Sequence, residues 1–264
     1  MKKWKKALLL STLALSISVF GVGCGSKNSG TEQTGDKKEY IVATDAAFAP
    51  FEWMEPNGDI VGFDIDLINA IAEEAGISVK VQHTGWDPML ETVKNGQSDL
   101  AIAAITNTTD RQIDYDFSDS YLEASQYILV KKDSTVTSLK DLEGKNISVQ
   151  QGTTGDIAVR DAFGQDYAGV KAFEAAPMAI QELLVGRVDA TVLDKPVILE
   201  YLKSNPSDEL KYISDDTFEK EYYGIIVKKG NTELLEKINT GLKKIQENGK
   251  YDEIFNKYFA EINN

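Results

Sequence analysis

The sequence predicts an α/β protein with two similar lobes joined by two extended strands. From Tyr40 onward, short runs rich in β-branched residues alternate with segments of helical period, which is typical of a mainly parallel sheet covered by helices. A helix, a Gly-x-x-Asp turn and an apolar strand occur together twice, with the turns at 96–99 and 186–189. In addition, the β-rich segments 126–131 and 223–228 are suited to carry the chain between the lobes.

These two crossings define the expected domain organisation. The first lobe is discontinuous and comprises 40–127 and 225–264, and the second lobe, 128–224, is inserted into it. Proteins that bend at a hinge are built in this way, because two strands can absorb a rotation of one lobe against the other.

Helix caps, helix stops and strand periodicity predict the individual elements. The helix over 64–76 has an apolar face, with Asp64 as the expected cap and Gly76 as the stop. A second helix is expected to open with Asp87 as its cap and to end at Gly96. The remaining predicted elements are strands at 41–43, 79–81, 99–104, 146–149 and 190–193, a helix at 157–163, and closing helices within 231–259.

The composition excludes several function classes. The chain has 264 residues, of which 42% are hydrophobic, as in a soluble protein with a large core. One His and one Cys cannot assemble a His/Cys zinc site, and a lone Cys cannot form an internal disulfide, so we expect no metal and no cofactor. The net charge of −14 argues against a nucleic-acid partner, because phosphate binding depends on clustered Lys and Arg.

The N-terminal segment differs from the rest of the chain. Residues 1–6 hold four lysines and no acid, and 7–22 form a short uncharged apolar run, which is the pattern of an export signal. Residues 1–23 resemble a bacterial lipoprotein signal that leaves Cys24 as a lipid-modified first residue, although Gly21 stands where such signals usually have a Leu-like residue. The alternative for Cys24 is a free or buried thiol. Removing the four lysines leaves 24 basic against 42 acidic residues, a charge of −18, and the polar segment 24–39 indicates a flexible tether.

Polar and aromatic side chains follow the predicted strands, at the position where ligands bind in open α/β sheets. After the first strand, Asp45 could pair with a cation and Phe48 could cover an apolar stem. Trp86 precedes the second helix and could form an aromatic sandwich with Phe48. The alternative interpretations are an Asx turn for Asp45 and core packing for both aromatic residues.

Three further segments carry groups that are complementary to an α-amino acid. The segment 104–111 (AITNTTDR) ends in Arg111, one of only three arginines, whose guanidinium can bind a carboxylate through two parallel hydrogen bonds. The segment 150–156 (QQGTTGD) exposes N–H groups at a helix start but lacks the pattern of a phosphate loop. Asp194 follows a strand and suits an ammonium group. The alternatives are a surface position for Arg111, paired with a neighbouring aspartate, and a helix-capping role for Asp194.

Together these residues make the sequence similar to the polar amino acid family of solute-binding proteins that serve ATP-driven importers. The resemblance covers nearly all of 40–259. It rests on the motifs ATDAAFAPFE (43–52), GFDIDL (62–67), GWDP (85–88), DLAIAAITNTTDR (99–111), DFSDSY (116–121), VQQGTTG (149–155), LDKP (193–196) and EYYGI (221–225). It implies a two-lobed, periplasmic-binding-protein-like fold of type II with two β-strand hinge crossovers.

The ligand contacts of this family fall on ten residues of the chain. The resemblance implies a carboxylate clamp at Arg111 with the backbone of Thr106, Thr154 and Gly155, an ammonium site at Asp194 helped by Ala104 and Thr106, and a side-chain pocket of Asp45, Phe48, Trp86 and Gln150. Ala104 stands where relatives often have Gly or Ser, and Gln150 varies with the ligand. The motif set is most similar to binders of arginine or other basic amino acids, whereas glutamine binders share Asp45, Phe48 and Arg111.

The resemblance also implies partners and a location. We expect a monomeric bacterial protein outside the cytoplasm, anchored to the membrane by lipid on Cys24, that delivers an L-amino acid to the permease and ATPase subunits of an ABC importer. The rival hypotheses are an enzyme on the same scaffold, such as a dehydratase, and the sensor module of a receptor. Against the enzyme, the one histidine, His83, is interpreted as a solvated loop residue with no nucleophile motif nearby. Against the sensor, no membrane span follows the fold before Asn264.

Overall fold

The computed structural model of the protein describes residues 38–206 and 208–260. The predicted signal sequence, Cys24 and most of the predicted tether lie outside the described residues, so the predictions for them stay predictions. Within the described part of the chain, no helix is long and apolar enough to cross a membrane.

The described residues form helices and short strands in alternation. The α-helices are α1 (Phe63–Ala75), α2 (Trp86–Asn95), α3 (Arg111–Asp114), α4 (Thr154–Phe163), α5 (Ala176–Leu184), α6 (Lys195–Ser204), α7 (Thr232–Glu247) and α8 (Lys250–Phe259). The strands are β1 (Glu39–Thr44), β2 (Ala47–Phe48), β3 (Glu52–Met54), β4 (Ile60–Val61), β5 (Ser78–His83), β6 (Leu100–Ala101), β7 (Tyr115–Phe117), β8 (Leu122–Ala124), β9 (Gln126–Lys131), β10 (Ile147–Gln150), β11 (Val170–Phe173), β12 (Ala190–Asp194), β13 (Leu210–Ile213), β14 (Glu221–Tyr223) and β15 (Ile226–Lys228).

Two five-stranded sheets organise these elements, and each sheet forms the centre of one lobe. The first sheet has the order β5-β1-β6-β15-β7, and the second has the order β11-β10-β12-β9-β13. In both sheets three neighbouring strands are parallel, and the next strand, β15 or β9, runs antiparallel to its neighbours. The two segments predicted as crossings contain these antiparallel strands.

The chain passes between the two sheets in the short strands β8 and β14. These strands pair antiparallel, with Leu122 opposite Tyr223 and Ala124 opposite Glu221. β8 leads into β9 of the second sheet, and β14 leads into β15 of the first. Because β9 begins at Gln126, the second sheet starts slightly before the predicted boundary at 127. The lobe boundaries themselves stay predictions.

Alternating side chains of the central strands pack against two different helix layers. In β1, Val42 belongs to the apolar cluster that includes α1, α7 and α8, whereas Ala43 packs with α2. In β12, Val192 packs with α4, whereas Leu193 belongs to the cluster that includes α5 and α6. Both faces of each sheet are therefore buried, as is usual for sheets with a parallel centre.

Asp64, the predicted cap of the first helix, has a different position. α1 begins at Phe63, with Gly62 at the cap position. Asp64 is completely buried, and its Oδ2 accepts hydrogen bonds of 2.8 Å from the Ala104 N–H and 2.8 Å from the Tyr121 hydroxyl. The predicted cap is wrong because Asp64 Oδ2 accepts from two donors in other segments of the first lobe, and the side chain makes no capping hydrogen bond to its own helix.

Two other helices begin earlier than predicted. α2 begins at Trp86, after Gly85 at the cap position, so Asp87 lies in the first turn rather than at the cap. α4 begins at Thr154 rather than at 157. Since the first N–H groups of a helix have no partner within it, both helices present free donors at these starts.

Candidate functional site

A cavity lies between the lobes, beyond the carboxyl ends of the central strands. It is lined by Asp45, Phe48, Glu52, Trp86, Ala103, Ala104, Thr106, Arg111, Gln150, Thr153, Thr154 and Asp194. Nine of the ten predicted ligand-binding residues are in this set. The tenth, Gly155, lies in the first turn of α4, where a Cβ atom would come within 2.8 Å of Gln126 Oε1 and 3.1 Å of the Val192 carbonyl oxygen. Glycine at this position therefore lets α4 approach the second sheet closely.

Asp45 follows the end of β1 and lies at one side of the cavity. It is buried, and its Oδ2 accepts a hydrogen bond of 2.8 Å from Gln150 Nε2 at the end of β10. Burial raises the pKa of Asp45, while the hydrogen bond from Gln150 opposes the rise. The two lobes therefore touch at a carboxylate that is suited to pair with a cation.

His83 is solvent-exposed, as predicted, but it lies in a strand rather than in a loop. It is the last residue of β5, and its Nδ1 accepts a hydrogen bond of 2.9 Å from the Ala46 N–H. Nδ1 also lies 4.0 Å from Asp45 Oδ1. His83 therefore supports the turn that carries Asp45.

Phe48 and Trp86 give the cavity an apolar wall. Both are buried; Phe48 stacks on Phe51 with ring centroids 6.2 Å apart, and Trp86 packs in the core of the first lobe. Both rings therefore pack in the protein core and also line the cavity. The Trp86 indole N–H is buried without a hydrogen-bond partner among the described residues, and the Arg111 guanidinium carbon lies 5.0 Å from the centroid of the indole ring.

Arg111 begins α3, a short helix that the sequence did not predict. Its Nη1 donates to the Thr106 carbonyl oxygen at 2.9 Å, and its Nη2 donates to the Gly152 carbonyl oxygen, in the other lobe, at 3.2 Å. The alternative interpretation placed Arg111 at the surface with a neighbouring aspartate as its partner, but its partners are these two carbonyl oxygens. Burial lowers the pKa of Arg111, while the negative charges of Glu221 and Asp194 raise it. A guanidinium keeps its charge under such conditions, and its remaining N–H donors are suited to an anion.

Asp194 ends β12 on the opposite side of the cavity. Although it occupies the cap position of α6, its side chain makes no capping hydrogen bond. The carboxylate instead accepts hydrogen bonds from Gln126 Nε2 at 2.6 Å and from the Tyr223 hydroxyl. Burial raises the pKa of Asp194 to about 7, with the charge of Glu221 as the next cause. Asp194 is thus a buried carboxyl group that a ligand ammonium would stabilise in its ionised form.

Ala104 has the left-handed backbone conformation that favours glycine. Its φ is 47°, and its N–H donates to Asp64 Oδ2. Such a conformation costs a non-glycine residue about 1–3 kcal/mol. The hydrogen bond to Asp64 therefore helps to hold the chain in the bend that leads from β6 to Thr106.

Glu221 belongs to the site, and the sequence analysis did not single it out beyond the motif EYYGI. It lies on β14, where the chain passes between the sheets. Its Oε2 accepts hydrogen bonds from the hydroxyls of Thr106 (2.6 Å) and Thr154 (2.8 Å), and its Oε1 accepts one from Gln126 Nε2 (3.2 Å). Glu221 therefore joins cavity residues of both lobes. Its local sequence contains no signal for this, because all three donors are distant in the chain.

Glu52 also lines the cavity and was missed. It is completely buried in β3, and neither of its carboxyl oxygens has a hydrogen-bond donor among the described residues. Burial and the neighbouring charge of Asp64 raise the pKa of Glu52 well above its usual value. The available signal in the sequence was an acidic residue between two aromatic residues, Phe51 and Trp53, which indicates an acid close to the core. Acids are rarely buried without a partner, so such a position points to a functional group.

The fold and the site together define a class of protein. Two lobes that contact each other across a cavity with one guanidinium, several carboxyl groups and an aromatic wall form a binding site for a small polar ligand. The class is that of two-lobed ligand-binding proteins.

Comparison with known proteins gives the family. Residues 40–261 match the bacterial extracellular solute-binding proteins, family 3, and the chain belongs to this family. A protein of Neisseria gonorrhoeae named "Probable histidine-binding protein" is 38% identical over 99% of this chain and 97% of that protein. The arginine-binding extracellular protein ArtP of Bacillus subtilis (strain 168) is 34% identical over 98% of this chain and 99% of that protein.

A solved structure of high similarity agrees with the fold. The arginine-, lysine-, histidine-binding protein ArtJ from Geobacillus stearothermophilus is 46% identical, with a TM-score of 0.82 over 84% of this chain and 96% of that chain. The predicted two-lobed fold is confirmed, and the chain is a solute-binding protein rather than an enzyme.

Proposed function

We propose that this protein captures a basic L-amino acid outside the cytoplasm, arginine first and lysine or histidine next, and delivers it to the permease and ATPase subunits of an ABC importer. The observation that carries the proposal is the charge arrangement of the cavity, where one guanidinium and several carboxyl groups surround an aromatic wall. A zwitterion with an additional positive charge complements this arrangement better than a neutral or acidic amino acid does. The relatives named for binding arginine, lysine and histidine support the same ligand class.

Each part of an α-amino acid has a partner in this proposal. Arg111 and backbone N–H groups of 106, 154 and 155 bind the α-carboxylate, and Asp194 binds the α-ammonium group. The hydroxyls of Thr106 and Thr154 already donate their single protons to Glu221, so the donors to the carboxylate are the guanidinium and the backbone.

The ligand side chain extends toward Asp45 in this proposal. Phe48 and Trp86 lie on the apolar wall, where a flat guanidinium can stack on an aromatic face. Asp45 supplies negative charge, and among the described residues that line the cavity Arg111 is the one cationic side chain. A cationic side chain that avoids Arg111 therefore meets no like charge there.

Ligand capture requires the lobes to separate and close. Hydrogen bonds between the two lobes at and beside the cavity support this part of the proposal: Gln150 with Asp45 at 2.8 Å, Gln151 with Asp87 at 3.0 Å, and Arg111 with the Gly152 carbonyl. β8 and β14, which connect the sheets, are the expected hinge. Solution scattering should show a more compact protein at saturating ligand, and an unchanged profile would contradict hinge closure.

Membrane attachment through lipid on Cys24 remains part of the proposal. Mass spectrometry of protein from bacterial membranes tests it, since a diacylglyceryl group on Cys24 adds a defined mass and Cys24→Ser removes it. Unmodified, soluble protein with an intact residue 1–23 segment would contradict the anchor.

Calorimetric titration with all twenty amino acids tests the ligand class, and Asp45→Asn separates arginine from glutamine as the ligand. Loss of the carboxylate should weaken a cation much more than a neutral amide, because Asn can still accept a hydrogen bond from the amide. Glutamine is the second candidate because its amide can donate to the same Asp45 oxygen that accepts from Gln150. Tight binding of glutamine with none of arginine would overturn the basic ligand and leave the amino-acid site standing.

A further inference from the structure

Glu52 and Asp64 form a pair of carboxyl groups with too few hydrogen-bond donors. Both residues are completely buried, with 0% exposure. Both oxygens of Glu52 and Oδ1 of Asp64 have no donor among the described residues, whereas Asp64 Oδ2 accepts from the Ala104 N–H and the Tyr121 hydroxyl. Buried carboxyl oxygens normally have donors, so this shortage has to have a physical reason.

One proton shared by the two groups supplies the missing donor. The Asp64 N–H donates to the carbonyl oxygen of Phe51, the residue before Glu52, at 2.9 Å, so the backbone brings the two carboxyl groups together. A carboxyl O–H is the donor that such a pair can contain, and a hydrogen bond between the two side chains contributes to the raised pKa of Glu52. Two donors on Asp64 Oδ2 favour the ionised form of Asp64, so the proton belongs on Glu52, whose O–H then donates to Asp64 Oδ1. Two adjacent buried carboxyl groups cannot both be ionised without a cation beside them.

We propose that the cavity exchanges this proton for the cationic side chain of its ligand. When a guanidinium or ammonium group enters the side-chain pocket, the O–H bond of Glu52 breaks, its electron pair stays on the carboxylate, and the proton leaves to solvent. Glu52 thereby becomes a specificity-determining residue that favours a cation over a neutral isostere. This inference rests on the proposed function, because it needs a basic ligand in the cavity.

The groups around the pair agree with this exchange. The charges of Asp64, Asp45 and Asp194 all raise the pKa of Glu52, in addition to the larger effect of its burial. A ligand cation has the opposite effect, so it drives the proton off. Other charged and titratable groups lie near Glu52 and Asp64 or around the cavity. They are Asp45 after β1, His83 on β5, Arg111 on α3, Tyr121 before β8, Asp194 on β12, and Glu221 and Tyr223 on β14.

Asp194 requires a control in any measurement of proton release. Its pKa is also raised, to about 7, and a ligand ammonium would lower it. Every α-amino acid carries that ammonium group, so Asp194 releases the same amount of proton with every ligand. The difference between L-arginine and its neutral isostere L-citrulline therefore isolates the side-chain pocket.

Calorimetry in buffers of different ionisation enthalpy counts the released protons. We expect wild-type protein to release up to about one proton more with arginine than with citrulline, and its arginine affinity to rise by up to about tenfold per pH unit relative to citrulline. Glu52→Gln should abolish this difference. Glu73→Gln makes the same Glu-to-Gln replacement at an exposed position of α1 and should retain the difference.

The measured proton release tests the exchange separately from the proposed function. Equal proton release with arginine and citrulline, or a difference that persists in Glu52→Gln, overturns the exchange. If citrulline does not bind, glutamine replaces it as the neutral ligand. If no amino acid binds, the proposed function fails. Infrared spectroscopy of the protein alone then tests whether Glu52 and Asp64 share a proton. A protonated-carboxyl band at neutral pH that Glu52→Gln removes supports the shared proton, and absence of the band overturns it.

Discussion

Replacing Arg111 with alanine is expected to remove tight binding of every α-amino acid while the protein stays folded. Among the described residues that line the cavity, Arg111 is the one cationic side chain. An α-carboxylate in the cavity would therefore lose its only charged partner. Since the carboxylate is common to all amino acids, the loss in binding free energy should be nearly the same for each ligand.

The structure sets the size of this effect. Two guanidinium N–H groups are used by the carbonyl oxygens of Thr106 and Gly152, and the others are available to the ligand. Truncating one partner of a buried, hydrogen-bonded charge pair costs about 2–5 kcal/mol, which corresponds to a loss of about 30-fold to 4,000-fold in affinity. The charge of Arg111 also lowers the pKa of Asp194, so its removal leaves more Asp194 protonated at neutral pH and weakens the ammonium site as well. We therefore expect the upper part of this range.

Calorimetric titration of Arg111→Ala with arginine, glutamine and alanine measures the effect. The matched control is Arg187→Ala, since Arg187 is 69% exposed and pairs with Glu182 at 2.7 Å on the surface of the second lobe. Circular dichroism and urea unfolding establish that both variants are folded. An affinity within about threefold of wild type, or a loss confined to arginine, would refute the assignment of Arg111 to the carboxylate.

Three further predictions concern stability. Glu221→Gln should lower the free energy of unfolding by about 1–3 kcal/mol in urea titrations, because a charged acceptor of two hydroxyl hydrogen bonds becomes neutral; an unchanged midpoint would contradict this. The buried pair of Glu52 and Asp64 holds one proton in the folded state, because burial raises the pKa of both groups, to about 7 for Asp64; unfolding releases this proton, so the free energy of unfolding should fall as pH rises from the usual carboxyl range toward 7. Glu52→Gln should flatten that slope, and a free energy of unfolding that rises over the same pH window in wild type would show the sign to be wrong. Gly62→Ala should lower the free energy of unfolding by more than about 1–3 kcal/mol, because φ is 137° and a Cβ atom would collide with the Phe51 carbonyl. Gly58→Ala is the control for backbone strain alone, since its φ is 91° and a Cβ atom there would meet nothing within 4 Å. Equal losses of stability in the two variants would exclude the collision.

Local sequence pattern was sufficient for most elements and for the general location of the cavity. The spacing of Ile65, Ile68 and Ile71 predicts one buried helix face, and all three are buried in α1, whose bounds differ from the prediction by one residue at each end. This works because helical and strand periods depend on residues that are near neighbours in the chain. Polar residues after buried strands, such as Asp45 and Asp194, meet at the cavity because the carboxyl ends of parallel strands lie at one edge of a sheet.

Tertiary structure alone decided which side chains face one another. Gln150 and Asp45 are 105 positions apart, and Thr106 and Glu221 are 115 positions apart, yet each pair is joined by a hydrogen bond. The burial of Glu52 beside Asp64 likewise depends on how β3 packs against α1. These contacts result from the combined twist and packing of two sheets and the strands between them, and a periodicity measured along one segment contains no information about the distance to another.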